Sequence, residues 1–245
     1  MRIIEFSGLP ASGKSTLLKA MQEHAQEELR GYPFISALPR RSFIPGRLAV
    51  PAGCELLLSS AVSPALHERL FRHGRLGSGL NREMLVHLSR ASRLFRIISH
   101  LRQAQRGTFV LDQGLVQSLG SLIVPGSGRA IPPADLALFR TIKSHVDGLV
   151  HLDCDPLIAV ERLNNRRGRS RFDSEFGGLG REELVRLYRF LDQTATYLAS
   201  IGLPVLRLPA AGDSTDNASR TLQWMKSLAT EHPVLTSIPA QVTTA

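Results

Sequence analysis

The stretch Gly8-Leu9-Pro10-Ala11-Ser12-Gly13-Lys14-Ser15, with Thr16 after it, has the spacing G-x-x-x-x-G-K-[ST]. The run before it, Arg2-Ile3-Ile4-Glu5-Phe6-Ser7, reads as a buried strand. From Ser15 to about Leu29 the pattern is helical, with Leu17, Leu18, Met21 and Leu29 on or near one face. Strand, glycine-rich loop and helix in that order are the context a phosphate-binding P-loop requires. Its glycines let the backbone curl so that successive N–H groups face phosphate oxygens, and the helix adds the positive end of its dipole. Lys14 then reaches β- and γ-phosphates, and the Ser15 hydroxyl can ligate Mg²⁺. A chance match to a strand-to-helix turn is disfavoured by Lys-Ser at the helix start. Gly8, Pro10, Ala11, Ser12, Gly13, Lys14, Ser15 and Thr16 therefore form the candidate nucleotide-binding set.

Charge adds less than it promises. The chain of 245 residues carries a formal net charge of +9, which calls for an anionic partner. A nucleotide polyphosphate satisfies that demand, so neither nucleic acid nor a membrane surface is expected as a partner. Among the 30 basic residues only Lys14, Lys19, Lys143 and Lys226 are lysines. Such an arginine bias suits bidentate phosphate binding, but it also follows from a GC-rich coding sequence. Cys54 and Cys154 form no C-x-x-C pair, and the histidines show no metal-ligand spacing. A reducing, cytoplasmic setting is the expectation, with no leader and no apolar run near the ~18 residues of a membrane span. A homodimer is compatible with this reading.

Along the chain, strands alternate with helices, the pattern of a parallel α/β sheet. Tyr32 to Leu38 resembles a second strand, while Pro33, Pro39, Pro45, Pro51 and Pro64 break up the segment to Gly79. Short helical pieces are expected at Leu56–Leu58 and Ala65–Phe71. Met84, Leu88, Ala91, Phe95, Ile98 and Leu101 recur at helical steps, which predicts a long helix from Asn81 to Gln105. Of its arginines, Arg82, Arg90, Arg93, Arg96 and Arg102, most should be solvated and one or two could turn into an acceptor cleft. Thr108–Leu111 is a strand closing on Asp112. Helices follow at Leu115–Val124 and Ala134–Lys143, then a strand at Gly148–Asp153. After Asp155-Pro156 comes a helix from Leu157 to Leu163. A helix at Arg181–Ser200, a strand at Val205–Leu208 and a helix at Thr215–Ala229 end the pattern. We read 1–231 as one domain, 33–80 as an acceptor-site insertion, 164–180 as a lid and 232–245 as a disordered tail.

Two further features carry chemistry. An apolar strand ending in an acid, after a P-loop strand, places the carboxylate of Asp112 near the γ-phosphate and Mg²⁺ at the carboxyl edge of the sheet. The bland reading is a turn-forming aspartate. Downstream, Arg162, Arg166, Arg167, Arg169 and Arg171 crowd a short stretch flanked by Gly177, Gly178 and Gly180. A solvated basic loop would look the same. A lid over ATP would use planar guanidinium groups to neutralise charge on the phosphoryl group in flight. In P-loop folds of this kind the loop after the last strand, here Pro209 to Asp213, lies near the P-loop and could pack on the adenine.

The order of P-loop, Arg-bearing helix, Arg106-Gly107-Thr108-Phe109-Val110-Leu111-Asp112, Leu152-Asp153-x-Asp155-Pro156 and Arg162-x₃-Arg166 resembles the thymidylate kinase and deoxynucleoside kinase group of P-loop kinases. The likeness covers most of 1–229. It implies a doubly wound sheet flanked by helices with a short Arg-rich lid, an arginine near Arg90 on the acceptor nucleotide, and lid arginines at Arg166, Arg169 and Arg171. Departures accompany it: the group usually follows the strand-end Asp with Arg, where this chain has Gln113-Gly114, and Ala37-Leu38-Pro39-Arg40-Arg41 is no recognised acceptor motif.

The expectation is an ATP- and Mg²⁺-dependent kinase acting on a small-molecule phosphoryl acceptor, a nucleoside or nucleoside monophosphate. Lys14, Asp112, Arg166, Arg169 and Arg171 would be catalytic. Arg162 and Pro209 would join the loop in holding ATP, and Arg90, Arg93 and Gln113 would hold the acceptor. Ser15 and Asp112 would ligate the metal, although Asp112 could instead orient or deprotonate the acceptor hydroxyl. A sugar or antibiotic kinase, or a nucleotide-dependent nucleic-acid binder, are the alternatives. A GTPase is disfavoured by the lack of N-K-x-D.

Overall fold

The computed structural model describes residues 2–24, 34–35, 91–92, 94–95, 97–99, 102, 108–123, 133–166 and 181–231. Five parallel strands form the sheet: β1 (Arg2–Gly8), β2 (Phe34–Ile35), β3 (Thr108–Leu111), β4 (Gly148–Asp153) and β5 (Val205–Pro209), in the spatial order β2-β3-β1-β4-β5. The helices are α1 (Lys14–His24), α2 (Leu115–Ile123), α3 (Pro133–His145), α4 (Pro156–Arg166), α5 (Arg181–Ser200) and α6 (Ser214–Glu231). This is the α/β, doubly wound fold that the alternation predicts.

β1 is central because its run is apolar enough to be covered on both sides. It pairs with β3 through Arg2↔Thr108 to Glu5↔Leu111 and with β4 through Ile4↔Gly148 to Gly8↔Leu152. Its side chains alternate between two cores. Ile4 and Phe6 join Val150, Leu152 and Leu208 under α1 and α6, where Leu17, Met21, Leu222 and Met225 meet them. Ile3 joins Phe109, Leu111 and Leu149 under α2, α3 and α5, with Leu115, Leu119, Phe139 and Leu187. Ala91, Leu94, Phe95 and Ile98 belong to this second core and are helical, as the spacing predicts; the rest of the Asn81–Gln105 helix reading falls mostly outside the described residues.

The entry to β4 is tied to β1 by Asp147: its N–H donates to the Ile3 carbonyl at 2.8 Å and its carboxylate accepts the Ile3 N–H at 2.7 Å. Arg102 completes the bracket with a 2.9 Å ion pair to Asp147, so this arginine is engaged rather than simply solvated. Asp155 caps α4 by accepting the Leu157 N–H, and Asp213 caps α6 by accepting the Thr215 N–H. Because the order reverses at β1, the carboxyl ends of β1, β3, β4 and β5 open onto one crevice at the switch point, where open α/β sheets hold ligands.

Candidate functional site

The loop from Gly8 to Gly13 leaves β1 at that crevice. Gly8 has φ +147°, and a Cβ there would stand 2.8 Å from the Leu152 carbonyl of β4, so no larger residue fits. Ala11 is held at φ 62°, a left-handed conformation that a non-glycine residue adopts only when its surroundings impose it. The turn closes through Ser12 N–H to the Leu9 carbonyl, and α1 starts with Leu17 N–H on Gly13. Lys14 folds back over the loop, its Nζ donating to the carbonyls of Gly8 at 2.8 Å and Leu9 at 2.9 Å. Ser15 and Thr16 present exposed hydroxyls on the first turn of α1.

Asp112 follows the last residue of β3 and is 9% exposed. Its Oδ1 is buried and has no hydrogen-bond partner among the described residues. Burial pushes its pKa above the ordinary aspartate value, and the Lys14 charge pulls it back. A buried carboxylate oxygen without a donor, within the field of a lysine, is fitted to a cation or a hydroxyl. The neighbouring Gln113 is half-buried.

Glu5, one position back from Phe6 on β1, is fully buried. Its carboxylate accepts the N–H groups of Leu115 at 2.9 Å, Val116 at 2.7 Å and Gln117 at 3.2 Å, the first turn of α2. Burial pushes its pKa up, while those three donors, which stabilise the charged carboxylate, pull it back down. Gly114 is required beside it, because a Cβ there would lie 2.1 Å from Glu5 Cδ. On the same face Ser7 Oγ lies 2.9 Å from His151 Nδ1, across the β1–β4 ladder. His151 is buried, and its pKa falls to about 4, chiefly through burial and next through the Arg207 charge. Its Nε2 has no partner among the described residues.

On the other side of the loop lies a cavity of about 510 Å³, lined in part by Gly13, Thr16, Arg162, Asn165, Gly212 and Asn217. Arg162, from α4, donates at 3.4 Å to the carbonyls of Ala11 in the P-loop and Ala210 after β5. It thus spans the cavity wall between two loops. Pro209 ends β5, exposed, and its carbonyl accepts the Gly212 N–H and the Asn217 side-chain amide.

The structure thus brings together Gly8, Pro10, Ala11, Ser12, Gly13, Lys14, Ser15, Thr16, Asp112, Gln113, Arg162 and Pro209 around one crevice. Arg166 ends α4, and Arg90, Arg93, Arg169 and Arg171 lie outside the described residues, as do the 33–80 segment apart from Phe34–Ile35 and the 232–245 tail. Sequence reasoning missed Glu5, Ser7 and His151. An acid inside an otherwise apolar strand was the available signal for the first. No group of three or more His, Cys, Asp or Glu suited to a metal occurs among the described residues. No helix there is long and apolar enough to cross a membrane.

No protein-family model matches the chain, and no curated protein does. Solved structures do. Deoxyadenosine kinase from M. mycoides with bound dATP is similar at a TM-score of 0.53 and 13% identity, over 91% of this chain and 99% of that one. The same enzyme with dCMP and a flexible dCDP gives 0.50 and 15%, over 92% and 99%. The YorR protein of Bacillus subtilis, in complex with phosphorylated GDP, gives 0.50 and 14%, over 94% and 98%. The chain has a P-loop nucleoside kinase-like fold.

Proposed function

We propose that the chain is an ATP-dependent phosphotransferase that moves the γ-phosphoryl group to a hydroxyl or phosphate of a nucleoside or nucleoside monophosphate. The observation that carries this reading is the buried Asp112 Oδ1, which has no hydrogen-bond partner among the described residues and feels the charge of Lys14 from the P-loop. The fold shared with nucleoside kinases supports it. P-loop amides and Lys14 would hold the β- and γ-phosphates once the lysine trades its loop carbonyls for phosphate oxygens. The cavity beside Arg162 has the place and size to take the donor's base and ribose.

Asp112 and the Ser15 hydroxyl are hard oxygen donors of the kind Mg²⁺ takes when phosphates supply most of its ligands. A metal bound there would neutralise charge on the bridging and γ-oxygens. The acceptor oxygen attacks γ-phosphorus while the bond to the β–γ bridging oxygen breaks, and the acceptor proton leaves to Asp112 or to solvent. Gln113, Arg90 and Arg93 would orient the acceptor. Arg166, Arg169 and Arg171 would close over the phosphates, their forks matching the charge that spreads over the equatorial oxygens in the transition state.

A screen of nucleosides, nucleotides and small alcohols for acceptor-dependent ADP release tests the reading. Turnover with nucleosides or their monophosphates at least ~10-fold above other alcohols is expected. Turnover with a sugar or antibiotic alone would move the acceptor class, and no acceptor-dependent release with any compound would remove the reading.

A further inference from the structure

A helix start is ordinarily capped by the residue at its N-cap, whose side chain takes the N–H of the second or third helical residue. In α2 that position is Gly114, whose carbonyl accepts the Ser118 N–H and which has no side chain to offer. The cap comes instead from Glu5, more than a hundred residues earlier, and it takes the N–H of all three first-turn residues. The substitution of a distant buried acid for a local Ser or Asp is costly, because a carboxyl must be stripped of water. Some other property must favour it.

That property is placement. Leu111 pairs with Glu5 in the ladder, so the backbone of Glu5 holds one end of the turn Asp112-Gln113-Gly114. Its side chain holds the other end at Leu115. Both anchors of the turn that carries Asp112 are therefore one residue of β1, the strand that runs directly into the P-loop. A local cap would fix the helix start but leave it free to shift relative to Lys14. Gly114 belongs to the same device, since any Cβ there would displace the Glu5 carboxylate.

We propose that Glu5 is a positioning residue: through Leu111 and the first turn of α2 it fixes where the Asp112 carboxylate stands beside Lys14 and the transferring phosphoryl group. This rests on the phosphotransfer reading. It also accounts for the tripeptide Asp112-Gln113-Gly114, in which glycine is demanded by a neighbour in space rather than by the turn alone.

Glu5→Gln tests it with little change of shape. The amide keeps one carbonyl oxygen for Val116 and Gln117 but turns its NH₂ toward the Leu115 N–H, donor against donor. The expected result is a kcat lower by roughly 10-fold with the KM for ATP within about 2-fold, since P-loop contacts are untouched. Amide hydrogen exchange at Leu115 should quicken while that of α6 stays as it was. In an Asp112→Asn background the same change should have almost no further effect on kcat, because Glu5 acts through Asp112. Gly114→Ala pushes on the same contact from the other side and should show the same selective loss. A folded Glu5→Gln variant with wild-type kcat overturns the proposal, as does full additivity with Asp112→Asn. If the wild type transfers no phosphoryl group to any acceptor, the functional reading fails and exchange at Leu115 still decides the anchor: unchanged exchange in Glu5→Gln overturns it.

Discussion

On β1, Ile4 and Phe6 pack under α1 and α6 among Val150, Leu152 and Leu208, whereas Glu5 and Ser7, alternating with them, face α2, α5 and the imidazole of His151. The two faces of one strand thus differ in kind. The α1/α6 face is apolar near its carboxyl end and holds the loop by packing. The opposite face is apolar at Ile3 and turns polar toward the crevice, where Glu5 is tied to the first turn of α2 and Ser7 to His151 Nδ1. Apolar contact is non-directional and tolerates small shifts, while a hydrogen bond between buried groups weakens steeply with angle. The lesson is that a site needing a carboxylate fixed near a lysine is built from the directional face, and the stability that lets it persist comes from the other.

The largest effect should come from the loop itself, which belongs to neither face. Lys14 spends its ammonium on the carbonyls of Gly8 and Leu9 and belongs to neither of the two hydrophobic cores. Lys14→Ala should therefore lower kcat/KM by at least ~10³-fold with a nearly unchanged melting temperature. Acceptor-dependent ADP release and a thermal melt check both halves. Turnover near wild type would break the link between loop and chemistry.

Phe6→Ala tests the apolar face. Phe6 is fully buried, so the change should destabilise by about 3–5 kcal/mol, read by urea unfolding. Activity per folded molecule should stay within a few-fold at low temperature. A selective fall in kcat, with stability kept, would mean that the α1/α6 face also positions the site.

The polar face should show its character in pH. Burial first, and then the Arg207 and Lys14 charges, lower the folded pKa of His151 from 6.5 to about 4, while Asp153 and Asp192 pull it up. Between these values the unfolded chain binds more protons than the folded one. Stability therefore rises with pH through this window, is complete above about 6.5, and is lost on acidification through 4. The loss should reach roughly 2–3 kcal/mol, and His151→Asn should flatten it. A wild-type stability that is level from pH 4 to 6.5 would contradict the buried neutral imidazole.

These contrasts also mark what could be read from the sequence. The P-loop and strands β1, β3 and β4 announce themselves through composition and spacing, because a parallel strand covered on both sides must be mostly apolar along its length. β5 and the caps at Asp155 and Asp213 follow local rules, and so does the crevice. Glu5 does not, since its partners sit beyond a hundred residues of intervening chain and depend on strand register, a period-two property that shifts wholesale with one slip. The local traces are the acid itself inside an apolar strand and Gly114, in a tripeptide where the resemblance leads one to expect arginine after Asp112. Arginine abundance hid part of this: Arg102 has an identifiable partner, yet in sequence it looks like any of the other arginines on its helix.

The smallest predicted effect is the sharpest test of the two-face contrast. Ser7→Ala and Ile4→Val each remove one heavy atom from a buried β1 position, on opposite faces, and each should destabilise by only about 1 kcal/mol. Size alone will not separate them, but coupling will. Ser7→Ala strips His151 Nδ1 of its hydroxyl partner, so it and His151→Asn act on one bond and should be non-additive by roughly 0.5 kcal/mol or more. Ile4→Val leaves a methyl-sized gap among Val150 and its neighbours and shares no partner with His151, so that pair should add within about 0.3–0.5 kcal/mol. Denaturant unfolding of the wild type, the three single variants and the two double variants at pH 7 measures both cycles. Equal coupling in the two would mean that the sheet transmits disturbance across its thickness, and the faces would then be one packed unit rather than a scaffold and a positioning surface.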